Sequence, residues 1–358
     1  MSALVTSTWR GGAAEAVRSC PACGAVERSP HAGAVFDHLR PADDDLWTFW
    51  KCDACASLYP DPRPSMDSIG AAYSDYYTHH PQHAGGLPGS NGTVSVLSRC
   101  VDGYLNARFG STLPNAMPIG HLVFSMIEPL RLKLDYHGRH LFLAQRTPGR
   151  VLDVGSGNGD FLLRARAMGW DARGIDPDPA AVGASRAQGL VVCVGFADCR
   201  SPELGGAFDV VTMRHSIEHV AHPGDDLRHC LGHLRPGGML WLAWPNPQGV
   251  GARIFRSAWR GLEAPRHLCI PSAEAMRGLL LGLGFEAPRL IRRGHHARSI
   301  ARESARIAEH RPGWLNRVRR HLGGVVAWAA DMAATLSSGA GEELVMVAFA
   351  PERRCERD

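Results

Sequence analysis

The chain has 358 residues, of which 45% are hydrophobic and 21% charged, and its formal net charge at pH 7 is +4. This length suits two domains, or one large domain with an appendage. The low net charge gives no whole-protein argument for a nucleic-acid partner. The first 18 residues have no apolar stretch after a basic start, and no run of about 18 apolar residues occurs. Neither a signal peptide nor a membrane-spanning helix is therefore predicted, and a cytoplasmic location is expected.

Four segments are predicted in chain order. Residues 1–18 are expected to form a disordered leader, and residues 19–61 a small zinc-ribbon-like module. Residues 62–147 are expected to form a helical linker or cap, with a flexible Pro/Gly-rich loop over 81–93. Strands and helices alternate over residues 148–350, which indicates an α/β fold with a mainly parallel sheet.

Four cysteines in the second segment form two Cys-x-x-Cys pairs, Cys20/Cys23 and Cys52/Cys55. Each pair can place two thiolates on one metal ion, and two pairs complete a tetrahedral sulfur site. Ten cysteines in a chain with no predicted signal peptide argue for reduced thiols or metal rather than disulfides. A structural Zn²⁺ is therefore predicted here, with a hairpin and a loop between the pairs. Unbound or redox-active thiols are the alternative.

The most informative stretch is a short apolar strand that leads directly into a glycine-rich turn. Residues 151–159 read Val-Leu-Asp-Val-Gly-Ser-Gly-Asn-Gly, and a helical pattern starts at Asp160. Glycine lets backbone and ligand approach closely, and the helix start offers free amide groups. Such a turn alone fits NAD, FAD or nucleoside sites equally well. Asp176 ends the next predicted strand, where a carboxylate can accept both hydroxyls of a ribose.

The order of motifs that follows resembles the class I S-adenosylmethionine (SAM) methyltransferases. A fourth strand is predicted at 208–211, and a Leu-Arg-Pro-Gly-Gly turn follows at 234–238. The alternative class, an ordinary Rossmann dehydrogenase, offers no explanation for this turn. The resemblance implies a Rossmann-like, seven-stranded, mainly parallel sheet. Its sixth strand is expected at 284–293 and its seventh at 343–349, with a helical insert at about 295–340 between them.

The resemblance also implies a SAM site at the glycine turn. The residues assigned to SAM are Asp153, Gly155, Ser156, Gly157 and Asp176, with Phe196 stacking on adenine and Asp198 receiving its amino group.

Two polar clusters are candidates for the acceptor side. After strand four, helical spacing predicts His215 and His219 one turn apart, with Glu218 beside them. An imidazole oriented by a carboxylate can accept the proton that a nucleophile loses when it attacks a sulfonium methyl. These three residues are therefore catalytic candidates. The alternatives are a helix start without a chemical role, and a divalent metal site formed by the same three residues.

The second cluster follows strand five, where a loop covers the substrate pocket in this fold. Glu263, Arg266 and His267 are polar residues on an otherwise apolar loop. His267 is a further catalytic candidate, and Arg266 a substrate-binding one. A salt-bridged hairpin that only shapes the lid is the alternative interpretation.

Taken together, the cysteine pairs, a Tyr-x-x-Tyr-Tyr cluster and both polar clusters resemble the zinc-module methyltransferases of sugar, polysaccharide and secondary-metabolite biosynthesis. In the deoxysugar C-methyltransferases of this group, the glutamate-histidine pair serves as base and an N-terminal tyrosine reaches the site. This implies one of Tyr73, Tyr76 or Tyr77, and Tyr76 and Tyr77 are assigned to the substrate. The chain departs from that group at Ser216, where those enzymes carry tyrosine, and in ending soon after strand seven.

These observations predict a SAM-dependent methyltransferase that acts on a hydroxyl oxygen of a small molecule, such as a sugar or secondary-metabolite intermediate. A C-methyltransferase acting on a nucleotide-linked keto-sugar is one alternative. A ribosomal RNA or other nucleic-acid methyltransferase is another, but the low charge and the absence of an Asn/Asp-Pro-Pro-aromatic run argue against it. A non-catalytic SAM-binding protein is the third.

The predicted insert is strongly basic. Between residues 291 and 321, nine arginines accompany two glutamates, and Arg298, Arg302 and Arg306 lie four apart, so a helix aligns them. Guanidinium groups suit phosphate oxygens. Arg298 and Arg302 are therefore substrate-binding candidates for a phosphate-bearing or carrier-linked acceptor: a nucleotide-linked sugar, a phosphopantetheine carrier or a lipid phosphate. A solvated helix face is the alternative.

Overall fold

The structure is a computed structural model that describes residues 5–40, 45–73, 95–137 and 148–352. The strands are β1 (Val5–Trp9), β2 (Gly12–Glu15), β3 (Arg28–Phe36), β4 (Leu46–Cys52), β5 (Leu58–Pro60), β6 (Arg63–Pro64), β7 (Arg150–Val154), β8 (Asp171–Asp176), β9 (Val191–Val194), β10 (Phe208–Arg214), β11 (Leu234–Pro245), β12 (Glu286–Leu290) and β13 (Glu343–Phe349). The helices are α1 (Val96–Phe109), α2 (Ile119–Met126), α3 (Glu128–His137), α4 (Asp160–Ala167), α5 (Pro179–Ala187), α6 (Pro223–His233), α7 (Val250–Phe255), α8 (Ala273–Gly282), α9 (Ala297–Glu309), α10 (Trp314–His321) and α11 (Gly323–Leu336).

A seven-stranded sheet forms the body of the molecule, in the order β12-β13-β11-β10-β7-β8-β9. The strands from β7 to β11 pair in parallel, and β13 is antiparallel to both of its neighbours. The central strand β7 is buried beyond its first residue, as expected for a strand covered on both faces. The predicted Rossmann-like methyltransferase fold is confirmed. The seventh strand has the predicted bounds, and the sixth is shorter than predicted.

The N-terminal module is larger than its cysteine motifs indicate. Strands β3, β4 and β5 form one antiparallel sheet, whose β3–β4 hairpin separates the cysteine pairs as predicted. The predicted disordered leader is wrong for residues 5–15, because β1 and β2 pair with each other and β2 pairs with β6. Trp9 anchors this second sheet, since its ring lies edge-on to Trp47 with 5.7 Å between centroids.

The module is joined to the α/β domain by backbone hydrogen bonds. The N–H and carbonyl of Leu58 bond to the carbonyl and N–H of Ile270, at 3.0 and 2.8 Å. Nearby, the Ser272 N–H donates to the Ser57 hydroxyl at 3.0 Å. Ile270 and Ser272 lie between α7 and α8. The module therefore supports that segment directly.

The rest of the chain agrees with a helical cap and a helical insert. Helices α1, α2 and α3 occupy most of the described part of 62–147, while the predicted loop at 81–93 lies outside the described residues. The insert between β12 and β13 consists of α9, α10 and α11. None of the described helices is long and apolar enough to cross a membrane.

Candidate active site

The turn after β7 depends on glycine at three positions. Gly155, Gly157 and Gly159 have φ values of +79°, +54° and +82°, in the left-handed region that glycine adopts without strain. A Cβ at Gly155 would lie only 2.6 Å from the Cβ of Ser216. The Ser216 hydroxyl donates to the carbonyl of Val154 at 2.9 Å. The glycine turn is therefore in direct contact with the segment that follows β10.

Two predicted cofactor acids are buried near this turn. The Asp176 carboxylate accepts hydrogen bonds from the N–H groups of Gly157 and Asp178, at 2.7 and 3.0 Å. Burial raises the pKa of Asp176. Asp153 on β7 accepts a hydrogen bond from the Thr212 hydroxyl of the neighbouring strand. Asp176 thus lies at the carboxyl edge of the sheet, where open α/β sheets bind their ligands.

The other predicted cofactor residues differ in their placement. Phe196 and Asp198 follow β9 and are exposed. Ser156 is buried, and its hydroxyl has no hydrogen-bond partner among the described residues. That hydroxyl packs toward Gly174, where a Cβ would lie 2.7 Å from it. The structure therefore does not support the Ser156 side chain as a cofactor ligand, because it faces the adjacent strand.

A cavity of about 360 Å³ lies beyond the carboxyl ends of β10 and β11. Its charged and titratable lining consists of His215, His219, His267, His296, Glu218, Glu263, Glu303, Glu342, Glu343 and Arg260. All four predicted catalytic residues belong to this set. The structure therefore brings together two clusters that are about 50 residues apart in the sequence.

His219 is held by Tyr73 and by the backbone of Arg266. Its Nδ1 lies 2.9 Å from the Tyr73 hydroxyl oxygen and 3.2 Å from the Arg266 carbonyl oxygen. Because a carbonyl can only accept, the tautomer with the proton on Nδ1 fits, which leaves Nε2 as the basic nitrogen. Burial lowers the pKa of His219 below 6.5, so the ring is neutral at pH 7. Tyr76 and Tyr77 lie outside the described residues.

The prediction that His215 and His219 lie one turn apart on a helix is wrong. His215 follows β10 with a left-handed φ of +50°, and Ile217–His219 is a short 3-10 turn. Its Nδ1 lies 3.1 Å from Glu218 and its Nε2 lies 3.4 Å from Glu343. Burial opposes a charged ring, but the carboxylates of Glu343 and Glu218 outweigh it and raise the pKa of His215 to about 9. His215 is therefore an imidazolium between two carboxylates.

His267 and Glu218 complete the group around His219. Nδ1 of His267 donates to the Gly261 carbonyl at 2.8 Å, and burial with the neighbouring His219 lowers the pKa of His267 to about 3. Burial disfavours ionised Glu218, but the hydrogen bond from His215 keeps the pKa of Glu218 below its usual value. Ligand atoms of Glu218, His219 and His267 lie within 4.8 Å of one another. This trio, rather than the predicted set with His215, has the spacing and donor types of a transition-metal site.

Arg266 binds the N-terminal module and does not line the cavity. Its guanidinium is fully buried, and its two terminal nitrogens lie 2.8 and 2.5 Å from the Asp37 carboxylate. Its Nε lies 3.3 Å from Glu263. The structure does not support the predicted substrate-binding role of this side chain, because it is fully buried, paired with two carboxylates and absent from the cavity lining. The alternative interpretation, a salt-bridged hairpin that shapes the lid, describes it.

The predicted arginines of the insert also lie away from the cavity. The α9 residues that line it are Ser299, Ile300 and Glu303. Arg298 and Arg302 are exposed on another face of the same helix. Their predicted contact with an acceptor in this cavity is therefore not supported.

Sequence reasoning missed the buried cluster around Glu343, at the start of β13. Its carboxylate lies 2.9 Å from Nε of Arg293 and 3.1 Å from Nε2 of His296, and accepts a hydrogen bond from the Tyr136 hydroxyl. Burial opposes ionisation, but Arg293 and His215 keep the pKa of Glu343 well below its usual value. The partners come from separate segments. The one signal in the sequence was a glutamate at the start of an apolar strand.

The four cysteines of the N-terminal module converge as predicted. The Sγ atoms of Cys20 and Cys55 lie 3.7 Å apart, and those of Cys23 and Cys52 lie 3.5 Å apart. All four sulfurs lie within 4.8 Å of one another. A tetrahedron with Zn–S bonds of about 2.3 Å has edges of about 3.8 Å, so these thiols fit a zinc ion.

The two cysteine turns have the same backbone pattern. Gly24 N–H donates to the Cys20 carbonyl at 2.8 Å, and Ala56 N–H donates to the Cys52 carbonyl at 2.9 Å. Gly24 and Ala56 both have left-handed φ values, +78° and +59°. Two matching turns that present sulfur atoms to one point are what a four-cysteine metal site requires.

Comparison with known proteins agrees with this fold. A family model described as a methyltransferase domain matches residues 129–288. The chain is 32% identical over 175 residues to the ubiquinone biosynthesis O-methyltransferase of Chromobacterium violaceum, covering 45% of this chain and 73% of that relative. It is 34% identical over 128 residues to the enzyme of the same description in Marinobacter nauticus, covering 34% and 52%. The chain thus spans about half the length of the latter relative.

A solved SAM-dependent methyltransferase of Thermotoga maritima is 16% identical, with a TM-score of 0.40 over 65% of this chain and 97% of that one. From the sequence relationships and the fold together, the chain belongs to the class I SAM-dependent methyltransferases.

Proposed function

We propose that the chain transfers the methyl group of SAM to a hydroxyl oxygen of a small molecule, with His219 as the general base. The observation that carries the proposal is the neutral, half-buried His219, fixed through Nδ1 beside a cavity. This cavity is lined by His215, the neighbour of the Ser216 that contacts the glycine turn. The relatives described as O-methyltransferases support oxygen as the receiving atom. A sugar or secondary-metabolite intermediate remains the acceptor class that we favour.

The cofactor side rests on the glycine turn and its flanking acids. Gly155 and Gly157 allow close approach to the backbone, and Asp176 offers carboxylate oxygens to the ribose hydroxyls. Asp153, Phe196 and Asp198 complete the proposed set. SAM, when bound, supplies an electrophilic methyl group.

On the acceptor side, the protonation states of the candidate residues indicate a different role for each of them. His219 accepts the hydroxyl proton on Nε2 as the oxygen attacks, and the nearby Glu218 carboxylate stabilises the imidazolium that forms. His215, already protonated, keeps Glu218 ionised. His267, with a pKa of about 3, is too weak a base for this role at neutral pH.

The cavity lining also limits the acceptor. Five glutamates line it against two cationic groups: Arg260, which is paired with Glu263, and the His215 imidazolium, which lies between Glu218 and Glu343. A phosphate near these carboxylates is disfavoured by repulsion. The portion of the acceptor that enters the cavity is therefore neutral or cationic, and a phosphate, where the acceptor has one, stays outside.

The test replaces the proposed base. His219→Gln should lower kcat by about 10²–10⁴, the usual contribution of positioned proton transfer, and leave the Kd of SAM unchanged. Label from methyl-tritiated SAM should enter the small-molecule fraction of a cell extract and not its RNA. His229→Gln, a histidine on α6 outside the cavity lining, is the matched control. Turnover within a few-fold of wild type would exclude His219 as the base.

The pH dependence of kcat/KM provides a second test. Activity falls on the acid side when His219 becomes protonated, and its lowered pKa moves that loss below pH 6.5. On the alkaline side, His215 loses its proton near pH 9 and Glu218 loses its charged partner. We expect His215→Gln to remove the alkaline limb and keep the acid one. A metal bound by Glu218, His219 and His267 would instead make activity depend on added divalent cation after chelation.

We further propose that Cys20, Cys23, Cys52 and Cys55 hold one structural Zn²⁺. The sulfur spacing and the matched turns support this assignment. Four thiolates leave no open position for a substrate, so the ion stabilises the module and takes no part in methyl transfer.

A further inference from the structure

We propose that the insert between β12 and β13 binds the surface of an anionic membrane through α10 and α11. This surface is separate from the cavity and does not depend on the proposed acceptor.

Helix α10 has no side chain buried in the protein. Its apolar residues Trp314, Leu315 and Val318 lie on one face by helical spacing, and all three are exposed, Trp314 at 69%. An amphipathic helix of a globular protein normally packs its apolar face on the core. In α10 that face is instead largely exposed, since Leu315 and Val318 are each about half exposed.

Helix α11 also exposes an apolar face, and this face runs along its whole length. Val326, Ala327, Ala330 and Ala334 are buried and attach the helix to the domain. On the other side, Val325, Trp328, Met332 and Leu336 are exposed, with Trp328 at 67% and Leu336 at 81%. Their spacing of three or four residues aligns them in one stripe. Successive helices therefore present apolar faces with a tryptophan on each, the residue typical of membrane interfaces.

The charged residues near these apolar faces indicate what kind of membrane surface they would bind. Five exposed arginines lie on α9 and α10: Arg298, Arg302, Arg306, Arg317 and Arg320. The acidic residues of these two helices are Glu303 and Glu309. Apolar side chains beside an excess of arginine match the boundary between acyl chains and anionic headgroups.

A second copy of the chain is the competing occupant. In a two-fold symmetric contact through these helices, both copies would bring their arginines to the same interface. Like charges across an interface are unfavourable, whereas anionic lipid neutralises them. The charge distribution therefore favours the lipid surface.

The experiment measures binding of the full chain to vesicles by co-sedimentation. We expect binding to phosphatidylcholine vesicles with about one third phosphatidylglycerol, and at least about tenfold weaker binding to pure phosphatidylcholine. Raising the salt from about 0.1 M to about 0.5 M should weaken binding to the anionic vesicles. Trp314→Ser with Trp328→Ser should lower the partition coefficient about tenfold or more. Arg317→Glu with Arg320→Glu should lower it at least about 25-fold.

Matched controls lie on α8, where Leu281 and Arg277 are exposed. Leu281→Ser and Arg277→Glu should bind vesicles as the wild type does. Equal binding to both vesicle types, or no binding to either, would overturn the proposal. A dimer in solution that the two tryptophan substitutions dissociate, without vesicle binding, would assign the surface to a second copy.

Discussion

At the residue scale, Asp176 has a structural role in the turn in addition to its proposed role in SAM binding. Its two oxygens already fix Gly157 and Asp178 of the turn region. Asp176→Ala should weaken SAM binding by roughly 10–100-fold, since a hydrogen bond to a charged group contributes about 1.5–3 kcal/mol. Calorimetry on the purified chain measures this directly.

The matched control lies on the same strand. Asp171 begins β8 at the opposite end and pairs with Arg150 and Arg173. Asp171→Ala should leave SAM affinity unchanged. Equal affinities of the two variants would remove Asp176 from the cofactor site.

Single residues divide into those that local sequence can assign and those that it cannot. The glycine turn is evident from the sequence because its backbone demands are local. The state of His215 is not, because its pKa of about 9 depends on Glu343, which lies more than 100 positions later. Likewise, the sequence around Arg266 gives no sign of its partner Asp37, which lies more than 200 positions earlier in the chain.

At the scale of elements, the two cysteine turns are expected to be held together by the proposed Zn²⁺. Cys23→Ser should reduce bound zinc from one equivalent to near none, measured by elemental analysis. The module should then lose its fold, because so small a unit has little core without the metal. Cys100→Ser, on α1 and outside the cluster, should keep the zinc. Wild-type protein without zinc, purified in the absence of chelator, would contradict the assignment.

The strands of the α/β domain were predictable because buried parallel strands are nearly continuous apolar runs. The β1–β2 hairpin could not be predicted, because it is stabilised by contacts with residues far away in the sequence. Trp9 packs on Trp47 and its indole N–H donates to Ser68 at 3.1 Å. Tertiary contacts of this kind override a weak local preference.

At the scale of the whole molecule, the ion pair between Asp37 and Arg266 links the N-terminal module to the loop that carries His267. Asp37→Ala should lower the free energy of unfolding by about 3 kcal/mol, because it leaves a buried guanidinium with a weaker set of partners. Urea denaturation measures the loss. Below the transition, kcat should fall while SAM affinity stays unchanged, since Arg266 also positions His219 through its carbonyl.

Asp53→Ala is the matched control for that substitution. Asp53 is an exposed carboxylate of the same module that accepts a hydrogen bond from Ser29. Its removal should change unfolding by only a few tenths of a kcal/mol. A similar loss of stability in both variants would show that Asp37 has no special role.

The Leu58–Ile270 backbone bridge attaches the N-terminal module to the segment that follows Arg266 and His267. An exchange of N-terminal modules between related enzymes would therefore preserve cofactor affinity and disturb the loop that carries Arg266 and His267. For the exchange to succeed, the segment from Glu263 to Ser272 would have to be transferred together with the new module. These two stretches, about 200 residues apart in the chain, are expected to be inherited as one unit.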